Sequence, residues 1–283
     1  MDINGIVLIN KERGISSNSV VNKVKYFFKA NKAGHYGTLD VLGEGLLPVA
    51  LGKGTKLFEY FLKKDKVYKT TFKFGETSAT LDLEGEITEK NDVIVSQEDI
   101  IKILPDFIGK ISQMPPQFSA KKVNGKKAYE LARKGKEVEL KPKEIEIYSI
   151  KLLKQVDVNT FEFEIWCSSG TFIRSICRDL ATKLGTFGIM YNIIRTKCGI
   201  FNLKDAVTLQ DIEKAKIIKL EEIFNNYCSI YLNETQTTQI LNGMTILIEN
   251  SKEEYCKCYG NRGEFLGITQ NRDGRIKLLL RLI

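Results

Sequence analysis

The spacing of apolar residues changes from about two to about 3.6 near residue 168, and this change constrains the fold of the chain. The segments KVYKTTFKFG (66–75) and FEFEIWC (161–167) alternate apolar and polar residues, which is typical of half-buried strands. In SSGTFIRSICRDLATKLG (168–185) the apolar stripe predicts a helix that ends at Gly185. The apolar run GIVLIN (5–10) predicts a buried strand. Strands separated by single helices predict an α+β fold around a mixed or antiparallel sheet.

Further elements are predicted near the two ends of the chain. Ser16 and Ser17 can cap a helix whose apolar stripe is Val20, Val24, Phe27 and Phe28. The region 208–227 is predicted to be helical. The last fifty residues predict a small β-rich unit, with an Asp-Gly turn in NRDGRIKLLLRLI and with short strands in LNGMTILI, YCKCYG and GEFLGITQ.

The charge of the chain favours a polyanionic partner. Lys and Arg number 43 against 35 Asp and Glu, a net charge of +8. Residues 121–143 hold nine Lys or Arg and three Glu, so most of the excess lies in one segment. The concentration predicts an electrostatic docking element. The alternatives are a solubilising surface charge and a solvated loop.

Cysteine and histidine usage argues against a metal site. The six cysteines form no CxxC pair and the chain has a single histidine, so no zinc site and no other metal is predicted. Scattered thiols and an N-terminus without an export signal predict a cytoplasmic protein with most cysteines buried. No run of 18 apolar residues is present, so no membrane partner is predicted.

The segment GHYGTLDVLGEGLLPVALGKGTK (34–56) contains the histidine, His35, and Asp40. Its glycines allow the backbone to turn tightly and to approach a ligand. GKGTK resembles part of a phosphate-binding loop, but the spacing of that motif is not met. An aspartate can act without a cofactor, as a nucleophile at a sugar carbon or as a base. The alternative is a turn or capping residue.

The same segment resembles the catalytic motif of the TruB family of tRNA pseudouridine synthases, in its bacterial stand-alone form. Four more segments resemble family motifs in family order, so the resemblance covers nearly the whole chain. They are KVYKTTFKFGETSATLDLEGEI, QMPPQFSAKKVNGKKAYELARKG, CSSGTFIRSICRDLATKLG, and GEFLGI with the tail that follows it.

The resemblance implies an activity and a catalytic residue. The family isomerises uridine 55 in the T loop of tRNA by breaking the C1′–N1 bond, rotating the base and joining C1′ to C5, with no cofactor. Asp40 is the implied catalytic carboxylate. It could attack C1′, add to the base or abstract a sugar proton.

The resemblance also implies roles for four residues around Asp40. Arg174 would pair with Asp40 and fix its direction. Tyr68 would stack on the target base, which has to be flipped out of the T loop. His35 would fill the space that the flipped base leaves. Phe172 stands where many members have tyrosine, which keeps an aromatic wall but removes a hydroxyl.

Several positions depart from the family pattern. INKERGISS keeps the N-terminal lysine, Lys11, as an implied substrate-binding residue, but Glu12 replaces a proline. Beside Asp40, the departures are Tyr36, Val41 and Gly43-Glu44. They predict a less rigid loop and a change in turnover rate rather than in reaction type.

The implied domains are a catalytic domain (1–228) with a thumb insertion (112–145), and a PUA-like RNA-binding domain (229–283). The thumb would close on the T arm, with Lys126 and Lys127 contacting phosphates. The C-terminal domain would contact the acceptor stem. A monomer without an obligate protein partner is expected.

Three alternatives differ in function class. A non-catalytic protein on the same scaffold could bind and fold tRNA, although the GTLD segment, Tyr68 and Arg174 argue for catalysis. A relative guided by small RNAs within a multiprotein particle would be expected to have long lysine-rich tails. A glycosidase acting on free nucleosides would need neither the basic thumb nor the C-terminal domain.

Overall fold

The computed structural model describes residues 3–118, 122–123, 126–127, 140–248 and 253–283. The helices in these ranges are α1 (Ser17–Phe27), α2 (Phe58–Leu62), α3 (Gln97–Ile103), α4 (Ile173–Lys183) and α5 (Glu234–Leu241). The strands of the first two-thirds of the chain are β1 (Gly5–Lys11), β2 (Ala33–His35), β3 (Glu44–Leu51), β4 (Lys66–Phe74), β5 (Glu76–Ser78), β6 (Ile87–Lys90), β7 (Gly109–Gln113), β8 (Lys122–Val123), β9 (Lys126–Lys127), β10 (Lys143–Asp157), β11 (Thr160–Cys167) and β12 (Gly188–Cys198). They are followed by β13 (Phe201–Asn202), β14 (Cys228–Tyr231), β15 (Ile246–Leu247), β16 (Tyr255–Tyr259), β17 (Phe265–Arg272) and β18 (Arg275–Arg281).

A large mixed sheet organises the first 200 residues. Its strand order is β1-β3-β12-β4-β11-β10-β7, with β2 also paired to β3 and β13 to β12. The β3–β12 pairing is parallel, and the other pairings in this sheet are antiparallel. The predicted α+β fold with a mixed sheet is therefore confirmed.

Strand β1 is buried on both faces, which explains its continuous apolar run. Ile6 and Leu8 belong to one apolar cluster, whereas Val7 and Ile9 belong to another that contains the buried stripe of α1. The Ser16 side chain accepts a hydrogen bond from the Ser19 N–H and caps α1, as predicted. The second cluster fixes α1 against the sheet beside the 36–43 loop.

The alternating strands are half-buried, as predicted, and their apolar face packs against α4. Phe72 of β4 packs on Phe163 of β11 with ring centroids 5.0 Å apart, in a cluster that also holds Ile176 and Leu180 of α4. Gly185 follows the helix with φ +70°, a backbone conformation that glycine adopts without strain.

A second sheet lies near the C-terminus, in the order β14-β16-β17-β18-β15. Asp273 (φ 53°) and Gly274 (φ 76°) form the predicted turn between β17 and β18. This sheet has an apolar cluster of its own, but Ile268 and Leu282 pack into the cluster of Ile6. The division of the chain at residue 228 stays a prediction.

The prediction of a helix over 208–227 is wrong. The segment contains short 3₁₀ turns at Ile212–Lys214 and Leu220–Phe224. Ile218 instead exchanges two backbone hydrogen bonds with Ile6, at 3.0 and 2.8 Å, and Val207 bonds to Leu8 and Asn10. Pairing with the free edge of β1 uses backbone groups that a helix would have bonded internally.

Two smaller predictions also need correction. Phe27 is not part of the buried stripe of α1, because the helix ends there and its side chain is 45% exposed. In LNGMTILI, Leu241 is the last residue of α5, which Asn233 and Gln236 begin with a capping box, and the strand is confined to Ile246–Leu247.

Cys228 and Cys256 form a disulfide, whereas the sequence predicted thiols. The two residues lie opposite each other in the parallel β14–β16 pairing. Because 28 positions separate them in the chain, their spacing in the sequence does not indicate this proximity. The other four cysteines are free and buried, so the prediction that most are buried is confirmed. No helix in the described ranges is long and apolar enough to span a membrane.

Candidate active site

Asp40 lies in the loop between β2 and β3. The Ser17 hydroxyl accepts a hydrogen bond from the Leu39 N–H and donates one to the Leu39 carbonyl, both at 2.9 Å. The Gly43 N–H bonds to the Asp40 carbonyl at 3.0 Å. The Asp40 side chain is 45% exposed. The backbone is therefore fixed while the carboxylate stays open to a ligand.

Arg174 contacts the Asp40 carboxylate from the first turn of α4. Its Nη2 lies 3.0 Å from Asp40 Oδ2, and its Nη1 lies 3.0 Å from Asp82 Oδ2. The guanidinium also donates to the carbonyls of Thr80 at 2.9 Å and Phe118 at 3.2 Å. The ion pair implied by the resemblance is present, in a rigid fork geometry that suits arginine.

Sequence reasoning missed Asp82, which lies between β5 and β6. Its side chain is 3% exposed, and its Oδ1 accepts a hydrogen bond from the Glu84 N–H at 3.0 Å. The residue belongs to SATLDLEG, a segment quoted for the resemblance without a role for its carboxylate. What marks Asp82 is its burial, which the sequence does not show. This burial arises because α4 brings Arg174 against the carboxylate.

A cavity of about 220 Å³ opens beside Asp40. Asp40, Tyr68, Phe172 and Arg174 line it, and Arg195 lies on its wall. Met190 and Ile193 add apolar surface from β12. A carboxylate at the edge of a partly apolar cavity can act on a flat, uncharged group held against the ring of Tyr68.

Tyr68 lies on β4 and packs against two apolar clusters, that of Phe72 and that of Val7. Burial raises the pKa of Tyr68 to about 12, and the nearby positive charge of Arg195 opposes this shift. The phenol of Tyr68 is therefore neutral at neutral pH.

Arg195 is a second residue that sequence reasoning missed. It lies on β12 and is 1% exposed. Its Nε donates to the Leu46 carbonyl at 2.8 Å, and its Nη2 donates to the Gly37 carbonyl at 3.0 Å. Within the described residues it forms no ion pair with a carboxylate. One guanidinium thus ties both ends of the loop that carries Asp40.

Phe172 is the N-cap residue of α4. Its N–H donates to Gln113 Oε1 at 2.9 Å, and its carbonyl accepts from Gln113 Nε2 at 3.1 Å. Gln113 is 1% exposed and was also missed, although it begins the quoted segment QMPPQ. This clamp positions the start of α4, and hence Phe172 and Arg174, at the cavity.

Lys11 is fully buried behind the loop and does not line the cavity. Its ammonium donates to the carbonyls of Glu12 at 2.9 Å, Val41 at 3.2 Å and Gly43. Burial lowers the pKa of Lys11 to about 8. Two of these three carbonyls, those of Val41 and Gly43, belong to the loop that follows Asp40.

His35 lies on β2 and also stays outside the cavity wall. Its Nδ1 is buried without a hydrogen-bond partner among the described residues. Burial, and then the positive charge of Arg195, lower the pKa of His35 below 6.5. The imidazole is therefore neutral at neutral pH.

The predicted thumb residues Lys126 and Lys127 belong to a short two-stranded sheet. Lys126 and Lys127 form β9, which pairs with β8, but their side chains lie outside the described part of the chain. In the described residues, no group of three or more His, Cys, Asp or Glu could hold a metal ion.

Comparison with known proteins gives matches over most of the chain. The model of the TruB family pseudouridylate synthase N-terminal domain matches residues 25–173. That of the tRNA pseudouridylate synthase B C-terminal domain matches residues 174–235. A tRNA pseudouridine synthase B of Clostridium kluyveri is 36% identical over 98% of this chain and 99% of its own length. One from Borrelia garinii is 38% identical over 94% of this chain and 95% of its own length.

Solved structures support the same fold. A chain in the crystal structure of a Cbf5-Nop10-Gar1 complex superposes with a TM-score of 0.72 over 99% of this chain and 85% of that chain. The sequence identity is 19%, so the likeness concerns the fold alone.

Proposed function

The chain belongs to the TruB family of pseudouridylate synthases, and from this premise we propose that it converts uridine 55 in the T loop of tRNA into pseudouridine. The tRNA substrate is named in its relatives, which are similar over almost their whole length. The choice of uridine 55 as the target follows from the family resemblance.

The observation that carries the proposal is the Asp40 carboxylate held by Arg174 at the edge of the cavity. The isomerisation breaks the C1′–N1 bond and forms a C1′–C5 bond, while C5 loses a proton and N1 gains one. No electron is transferred and no atom is added, so the reaction needs no cofactor. Arg174 contacts Oδ2 and leaves Oδ1 of Asp40 to attack C1′, to add to the base or to take a sugar proton.

Tyr68 is proposed to stack on the extruded uracil. The ring is neutral at neutral pH, and the apolar wall of Met190 and Ile193 lies in the same cavity. Base–aromatic stacking offsets part of the cost of removing the uridine from the T loop. Phe172 would close the cavity, and His35 would occupy the place that the base leaves.

Binding of tRNA is proposed to use surfaces beyond the cavity. Most of the net charge of +8 lies in residues 121–143 of the thumb segment, where Lys126 and Lys127 would contact the T arm. The C-terminal β-rich unit would contact the acceptor stem as a PUA-like domain (229–283). Action on tRNA is consistent with a cytoplasmic protein.

The test is a carbodiimide-adduct primer-extension map of an unmodified tRNA transcript incubated with the protein. A new stop at position 55, unchanged by a chelator, is expected. A stop at another uridine would contradict the assigned position. Binding of tRNA without any stop would contradict catalysis and favour the non-catalytic folding protein.

A further inference from the structure

The segment between Arg13 and Leu39 contains no acidic residue. It carries five cations, which are Arg13, Lys23, Lys25, Lys29 and Lys32. The segment includes α1 and leads directly to Asp40. A surface with cations and no interspersed acids attracts a polyanion rather than forming internal ion pairs.

The C-terminal end of α1 adds exposed aromatic rings to this charge. The buried stripe of the helix faces the sheet, whereas Tyr26 is 87% exposed and Phe27 is 45% exposed. With Lys25 and Lys29 they line a shallow groove. We call Lys25, Tyr26, Phe27 and Lys29 the basic–aromatic end of α1.

The backbone at Lys29 is in a conformation that favours glycine. The Lys29 N–H bonds to the Tyr26 carbonyl at 3.1 Å and the Ala30 N–H bonds to the Lys25 carbonyl at 3.0 Å, which is a Schellman motif. Lys29 has φ 51° at the position where this motif usually has glycine. A lysine here costs stability, which is explicable if its side chain has a partner outside the chain.

The basic–aromatic end is tied to the active site through α1. Ser17, at the start of the helix, bonds to the backbone of Leu39 beside Asp40. Tyr26 lies nine positions after Ser17, which is about 14 Å at the helical rise and about four stacked nucleotide steps. The basic–aromatic end therefore lies about one short helix away from the loop that carries Asp40, a distance that is small compared with the length of an RNA arm.

We propose that the basic–aromatic end of α1 is a second contact surface for the RNA substrate, on which Tyr26 stacks with an unpaired base while Lys25 and Lys29 contact phosphates. The inference rests on the proposed function, because it takes the same RNA to reach Asp40. A ring surrounded by cations suits single-stranded RNA, since stacking tolerates any base and the lysines follow the backbone.

The test uses the full chain and measures binding of an unmodified tRNA transcript at several salt concentrations. Tyr26→Ala is expected to weaken binding at least about fivefold, the lower end of the contribution of one stacked base. Tyr26→Phe keeps the ring and is expected to bind like the wild type. Lys25→Glu is expected to weaken binding and to reduce its salt dependence. Lys102→Glu, in the last turn of α3, is the matched control and is expected to change neither.

Lys29→Gly separates binding from stability. Relief of the positive φ is expected to raise Tm, while loss of the cation weakens tRNA binding. Wild-type tRNA affinity of either Lys29→Gly or Tyr26→Ala would overturn the proposal. The exposed rings would then be assigned to contact with a protein partner. A wild type that binds tRNA but forms no pseudouridine would instead overturn the proposed function, because the binding comparison does not depend on catalysis.

Discussion

Asp82 holds Arg174 through a nitrogen that Asp40 does not use. Nη1 of Arg174 lies 3.0 Å from Asp82 Oδ2, and Asp82 is almost completely buried. The guanidinium is thereby fixed in position before any ligand enters the cavity. The direction of the Asp40 carboxylate thus depends on a second carboxylate that does not line the cavity.

The first prediction concerns this second carboxylate. Asp82→Asn keeps the shape but removes the charge that faces Arg174, so the guanidinium can turn away from Asp40. We expect kcat to fall by about 10²-fold with little change in tRNA affinity, measured by single-turnover kinetics and by binding. Asp106→Asn, which removes an exposed partner of Lys183, is the control and should leave kcat unchanged. An unaltered kcat in Asp82→Asn would contradict the role of Asp82.

The second prediction distinguishes two roles for Lys11. Lys11→Met leaves the carbonyls of Val41 and Gly43 without their buried donor. We expect the free energy of unfolding to fall by about 2 kcal/mol and kcat to fall, with tRNA affinity preserved. Denaturant unfolding and binding measure the two effects. A variant of unchanged stability that binds tRNA less tightly would show that Lys11 contacts the substrate instead.

The third prediction is for Arg195, whose fork ties Gly37 and Leu46 on the two sides of Asp40. Lysine has the charge but not the fork, so its single nitrogen cannot take the two positions from which Nε and Nη2 reach these carbonyls. We expect Arg195→Lys to lower kcat by about tenfold or more while the far-ultraviolet circular dichroism stays that of the wild type. Lys197→Arg, two residues along β12, serves as the control. Wild-type kcat in Arg195→Lys would mean that charge alone is sufficient.

The fourth prediction is a pH dependence of stability. Burial lowers the pKa of His35 below 6.5, so the unfolded chain takes up this proton at a higher pH than the folded chain. Stability should therefore fall as pH falls below about 6.5, by at most about 1.4 kcal/mol per pH unit from this group. Urea unfolding of the wild type and His35→Gln between pH 7.5 and 5 isolates the effect. Parallel curves for the two proteins would contradict it.

The sequence predicted those elements whose pattern is set locally. Alternation in β4 and β11 and the stripe of α4 follow from one face packing on a core, and the Asp273-Gly274 turn follows from local backbone preference. The helix predicted over 208–227 failed because its backbone pairs with β1, some two hundred residues earlier. The pattern of apolar residues within 208–227 does not indicate a pairing with a strand so far away in the chain.

The candidate site divides in the same way. Asp40, Tyr68, Phe172 and Arg174 were identified through motifs, and the structure brings them to one cavity. Asp82, Gln113 and Arg195 were not identified, because their importance comes from burial beside residues distant in the chain. The sequence does not reveal that Arg195 donates to two backbone carbonyls, or that Asp82 pairs with Arg174.

The most direct test of the central claim compares the wild type with Asp40→Asn on an unmodified tRNA transcript. Pseudouridine is mapped by carbodiimide-adduct primer extension, and tRNA affinity is measured in parallel. We predict a stop at position 55 with the wild type, none with Asp40→Asn, and the same affinity for both proteins, because the amide keeps the shape but not the nucleophile or base. A stop of equal strength with Asp40→Asn would contradict the claim that Asp40 performs the chemistry.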